Sequence, residues 1–117
     1  MFRRSWMLFA AIAAAHWLGP AEALAAETGM AAVYSYRGGK TSSGEVSNPS
    51  GLTAAHRSLP FGSKVRVTNQ RNGRNVVVRI NDRGPFTRGR IIDLTPAAAN
   101  QLGFSGLAPV SVSVVGR

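Results

Sequence analysis

The sequence predicts an all-β domain, a compact β-barrel of about six strands with one short helix. Three observations lead there. Runs rich in β-branched residues, several of them alternating apolar and polar, recur along the chain, and an Asn-Gly pair sits between two of them. No stretch carries the helical period that crossover connections of a parallel α/β sheet need. The chain also has no cysteine, so a small exported domain of this kind cannot add disulfides, and a closed β-structure substitutes for them.

Residues 1–26 come first and are read apart from the barrel. Arg3 and Arg4 precede an apolar run over residues 6–18, followed by Pro20 and the small-residue stretch Ala23-Leu24-Ala25. That is the order of a secretory signal peptide with its cleavage site. The run is short for a membrane span. The expectation is an exported protein, periplasmic or secreted, with residues 27–117 as one barrel domain and no stable membrane insertion. With no Cys there is no lipid anchor either. The chain carries 14 basic and 5 acidic residues; without Arg3, Arg4 and Glu22 the balance is 14 − 2 against 5 − 1, or +8. Such charge attracts an anionic partner, and for an exported protein the expectation is an envelope polymer or membrane surface rather than nucleic acid.

The elements of the barrel follow in order. Residues 30–36, M-A-A-V-Y-S-Y, form a first strand on the β-propensity of Val33, Tyr34 and Tyr36. Residues 37–40 turn the chain. The small, polar segment 41–51 is a surface loop holding Glu45 and Asn48. Residues 52–56 are a short apolar stretch that delivers His56 and Arg57, and residues 59–62 turn again. Residues 64–68 and 75–80 alternate and flank Asn72-Gly73, a strong hairpin signal. After the excursion 81–90 the chain returns through Ile91-Ile92-Asp93-Leu94. Thr95 caps a helix that has Pro96 at its first position and Gly103 as its left-handed end. Residues 110–115 alternate as a last strand. No linker or repeat divides the domain.

Chemistry is limited by what the chain lacks. Without Cys and with His56 as the one histidine after residue 26, a zinc site has too few good ligands. No serine sits in a nucleophile elbow, and no phosphate-binding glycine loop is present. Glu27 lies beside the cleavage site and is expected to fray. Carboxylate chemistry therefore falls to Glu45, Asp82 and Asp93. Asp82 leaves the end of an apolar strand, where desolvation would raise its pKa, while neighbouring arginines would lower it. It could serve as an acid or simply fix the turn before Arg83-Gly84-Pro85. Asp93 could be a buried partner of Arg79 or Arg90. Glu45 reads equally as a solvated loop acid, and His56 as a core histidine.

The runs G-L-T-A-A-H-R-S-L-P-F-G-S-K-V-R-V-T-N (51–69) and N-G-R-N-V-V-V-R-I-N-D-R-G-P-F-T-R-G-R-I-I-D-L (72–94) closely resemble the rare lipoprotein A family of septal lytic transglycosylases. T-S-S-G-E upstream and P-A-A-A-N-Q-L-G-F downstream fit the same pattern, so the resemblance spans residues 32–115. It implies a double-psi β-barrel that cleaves peptidoglycan between N-acetylmuramic acid and N-acetylglucosamine. It further implies endolytic action on peptide-poor strands, 1,6-anhydromuramyl ends, and no metal or other cofactor. Asp82 matches the proposed catalytic acid/base. Glu45 and His56 match further important polar positions, and Asp93 matches an acid that the related expansin barrels use.

Tyr34, Tyr36 and Phe86 are the candidate aromatic platform for sugar. Asn48, Arg57, Arg79, Arg83 and Arg88 are candidates to hold an anionic glycan, and a monomer suffices. Two departures stand out: Asn48 replaces a common acid, and Val33-Tyr34-Ser35-Tyr36 replaces S-W-Y-G. A non-catalytic, expansin-like glycan-binding or wall-loosening module is the alternative.

Overall fold

The computed structural model describes residues 26–34 and 39–117. Within them the elements are β1 (Glu27–Val33), β2 (Thr53–Ala55), β3 (Lys64–Asn69), β4 (Asn75–Asp82), β5 (Arg90–Leu94), α1 (Pro96–Leu102) and β6 (Leu107–Gly116). The strands close into a barrel in the order β1-β5-β2-β4-β3-β6. β1 with β5 and β2 with β4 run parallel; the remaining neighbours are antiparallel. The six-stranded barrel with one short helix is as the sequence predicts.

Alternation explains the core. Val65 and Val67 of β3, Val76, Val78 and Ile80 of β4, and Val110 and Val112 of β6 all point inward and are buried. Ile92, Leu94, Ala31, Ala54 and Ala108 fill the rest with Leu102 from the helix. Each fully buried Val, Leu or Ile contributes about 1.5–3 kcal/mol relative to exposure. The hairpin between β3 and β4 has Val65 opposite Val78 and Val67 opposite Val76. Its turn places Gly73 at φ 78°, a conformation that favours glycine.

Thr95 caps α1 as expected. Its hydroxyl accepts from the Ala98 N–H and donates to the Gly51 carbonyl at 2.7 Å, which ties the helix start to the segment before β2. Gly103 ends the helix at φ 80°. The last helical carbonyl, that of Leu102, accepts from the side-chain amides of Asn69 and Asn72 in the hairpin.

Three expectations are corrected. The first strand begins earlier than residue 30, at Glu27, and ends at Val33; Tyr36 lies outside the described residues. Glu27 does not fray, because β1 is zipped to β6 from Glu27 opposite Val112 onward. β6 is correspondingly longer than 110–115 and begins at Leu107. Among the described residues no helix is long and apolar enough to cross a membrane.

Candidate active site

The barrel brings two acids to one register row. Ala55 of β2 pairs with Asp82 of β4 on one side and with Asp93 of β5 on the other. The preceding row, Ala54 with Ile80 and Leu94, is core. A register irregularity between Ala54 and Ala55 brings Asp82 into this row although it stands two residues after the core Ile80, while Asp93 lies between the core residues Ile92 and Leu94. Two strand spacings separate the aspartates, roughly 10 Å at the backbone. They are not a closely coupled dyad.

Asp82 ends β4 and is buried. Its Oδ1 accepts the backbone N–H of Ser42 at 2.8 Å and that of Arg83 at 2.9 Å. Its Oδ2 accepts the Tyr34 hydroxyl. Burial, the largest single influence, raises the Asp82 pKa. The Tyr34 hydroxyl, the N–H and hydroxyl of Ser42 and the Arg83 N–H together outweigh it and hold the carboxyl below the usual aspartate range. The guanidinium groups foreseen from the sequence are not what lowers it. The Arg83 guanidinium instead donates to the carbonyls of His56 and Leu59 at 3.2 and 2.8 Å and lies 4.0 Å from the centre of the Phe61 ring.

Asp93 is held separately. Its Oδ1 accepts from Nη2 of Arg90 at 2.6 Å, one of the two partners foreseen. Glu45 faces Arg79 of β4 through two parallel bonds of 2.8 and 2.7 Å. The Arg79 side chain, with lesser help from Asn81, holds the Glu45 carboxyl below its ordinary range against the opposing effect of burial. The Arg79 guanidinium is pushed above its ordinary value by the same bonds.

His56 is buried just beyond β2. Its Nδ1 accepts the N–H groups of Ser58 and Leu59, both at 3.1 Å. The ring proton therefore sits on Nε2, which donates to Oε1 of Glu27 at 2.9 Å. The His56 backbone N–H donates to the Asp82 carbonyl at 3.1 Å. His56 thus organises the turn behind Asp82, and its ring bonds go to Glu27 and that turn rather than to the Asp82 carboxylate.

The remaining candidates lie further out. Phe86 is 77% exposed, four residues past Asp82, with its ring edge over Gly84. Arg57 and Arg88 are exposed. Asn48 is exposed and caps its own turn by accepting the Ser50 N–H at 3.0 Å. Among the described residues no three His, Cys, Asp or Glu side chains group closely enough to hold a metal ion.

Sequence reasoning missed the backbone of Ser42, because an N–H has no residue signature. It also missed Glu27, although one acid near the start and one histidine made the pair discoverable.

The structure is thus a closed six-stranded barrel with a hydroxyl- and N–H-caged aspartate at the end of β4. The family model described as "Lytic transglycolase" matches residues 26–113, and the chain belongs to that double-psi β-barrel family. A relative in Nostoc sp., named "Probable endolytic peptidoglycan transglycosylase RlpA", is 66% identical over 84 residues, covering 70% of this chain and 23% of its own length. "Endolytic peptidoglycan transglycosylase RlpA" of Yersinia pestis is 50% identical over 91 residues, covering 76% of this chain and 25% of its own. The chain thus spans about a quarter of the length of these relatives.

Among solved structures, the Streptomyces papain inhibitor superposes with a TM-score of 0.63 at 24% identity, over 77% of this chain and 94% of its own. The apo expansin of Clavibacter michiganensis gives 0.63 at 23%, over 77% and 50%. These two share the fold.

Proposed function

We propose that this domain is an endolytic lytic transglycosylase of peptidoglycan, acting at the cell envelope with Asp82 as the single proton carrier. The observation that supports it most is the buried, multiply hydrogen-bonded Asp82 carboxylate at the end of β4 in a chain of this family.

The chemistry runs in two proton transfers. Protonated Asp82 gives its proton to the glycosidic oxygen as the bond from muramic-acid C1 to that oxygen breaks. The 6-hydroxyl of the same sugar then closes on C1, and its proton returns to Asp82. No water is consumed, so one carboxyl serves as acid and then base. Glycan arriving over the site excludes water and competes for the Tyr34 and Ser42 hydroxyls. Both changes raise the Asp82 pKa and favour the acid form. Asp93, held by Arg90 two strand spacings away in the same register row, is the second acid of the site.

Phe86 offers its exposed ring to a sugar face, and Arg57 and Arg88 offer charge. A muramic acid stripped of its peptide ends in a free lactyl carboxylate, which suits these arginines and favours peptide-poor strands. Glu45 and His56 act through their neighbours rather than on the sugar. Digestion of peptidoglycan with and without stem peptides, read by mass spectrometry, tests the proposal. The expected products are 1,6-anhydromuramyl ends, more abundant from stripped strands. Reducing muramic ends would show hydrolysis instead. Asn48 in place of an acid favours the rival, a non-catalytic glycan-binding module, and retention on sacculi with no new ends would establish that one.

A further inference from the structure

Residues 39–47 fold back on themselves beside Asp82. Thr41 N–H donates to the Glu45 carbonyl at 2.8 Å, Gly44 N–H to the Thr41 carbonyl at 2.9 Å, and Ser47 N–H to the Gly39 carbonyl at 2.9 Å. The Thr41 hydroxyl adds a bond to the Glu45 carbonyl at 2.9 Å, and Lys40 bridges Val46. The result is a small closed loop, self-bonded but not apolar: its one large hydrophobic residue, Val46, is 58% exposed.

The loop meets β4 at two places with matched spacing. Ser42 reaches Asp82, and Glu45, three residues on, reaches Arg79, three residues back. With Val46 exposed, the bidentate ion pair between Glu45 and Arg79 is a directional tie that fixes the loop's position along the strand. An exposed pair is worth little to global stability, yet its two parallel bonds specify a geometry.

We propose that Glu45 and Arg79 are a positioning pair that seats the 39–47 loop on β4 and so keeps the Ser42 N–H on the Asp82 carboxylate. Neither side chain touches the reacting atoms. The importance of Glu45 then lies in its carboxylate's grip on Arg79, and Arg79 serves the loop rather than the glycan. The inference deepens the reading of Asp82 as the proton carrier and rests on it for its functional meaning, though the clamp itself is a statement about the resting protein.

The test is a carboxyl-carbon NMR titration of Asp82 in the whole chain, run on the wild type, Glu45→Gln, Arg79→Gln and the exchanged pair Glu45→Arg with Arg79→Glu. Loss of either partner frees the loop, removes a bond to the charged carboxylate, and moves the Asp82 midpoint upward. The declining alkaline limb of the kcat/KM profile moves upward with it. The exchanged pair restores the wild-type midpoint at least in part. An Asp82 midpoint unmoved in both single variants, each folded by its amide spectrum, overturns the clamp even if activity falls. A wild type that releases no anhydro ends overturns the proposed reaction alone, and the titration still decides the clamp.

Discussion

At the scale of single residues, Asp82 balances burial against a set of donors. Because the donors win, the carboxylate is the resting form, and removing one donor has a definite sign. Tyr34→Phe deletes the hydroxyl on Oδ2 and should raise the Asp82 midpoint, moving the alkaline limb of kcat/KM to higher pH. A pH-rate series on the two proteins checks this.

The same balance sets stability. Asp82 and Glu45 both have folded-state pKa values below their ordinary ones. Their contribution is therefore present above the unfolded values near about 4 and is lost as pH falls through the folded values. A thermal melt followed from pH 7 down to pH 2 should show the midpoint dropping below about pH 4. Asp82→Asn should make that drop shallower.

The sequence made Asp82 visible, since few acids compete with it and its strand end is recognisable. It did not reveal which forces set its charge. The decisive donors are a hydroxyl 48 positions away and a backbone N–H 40 positions away, brought in by closure of the barrel.

At the scale of elements, β4 does most of the positioning. It carries core residues on one face, Arg79 for the loop, and Asp82 at its end. Ile80 is fully buried in the register row next to Ala54. Ile80→Ala should cost about 2–5 kcal/mol in urea unfolding, because it leaves a cavity at the centre of the sheet. If the folded remainder shifts β4, activity falls as well.

The hairpin and helix were legible because local rules set them: Val65, Val67, Val76 and Val78 alternate with wet neighbours, and Thr95-Pro96 and Gly103 mark the helix ends. The start of β1 was not legible. Glu27 and Gly29 have weak strand propensity, and the segment 27–29 is extended because β6 pairs with it opposite Val112, Ser111 and Val110. Tertiary pairing overrode local preference there. The pairing of β2 with both β4 and β5 was likewise invisible, although it sets the two aspartates in one row.

At the scale of the whole molecule, charge and topology act together. The chain carries a formal net charge of +9, and the barrel places Arg57 and Arg88 on its surface. Attraction to carboxylate-bearing glycan should be long-ranged at low salt and screened within about 8 Å at 0.15 M. Retention on peptide-stripped sacculi should thus fall by roughly tenfold or more between 0.01 and 0.15 M salt, within the range that electrostatic steering covers. Acetylated, neutral chitin-like strands should show little salt dependence.

Closure of the sheet holds the Asp82 carboxylate at the end of β4, with a short loop beside it. The central claim is that Asp82 carries the proton for both steps. It is tested most directly by digesting peptide-stripped peptidoglycan with the wild type and with folded Asp82→Asn, and counting 1,6-anhydromuramyl ends by mass spectrometry. The expected result is abundant ends from the wild type and a loss of about 10²-fold or more in the variant, with glycan binding retained. Wild-type yields of anhydro ends from Asp82→Asn would contradict it.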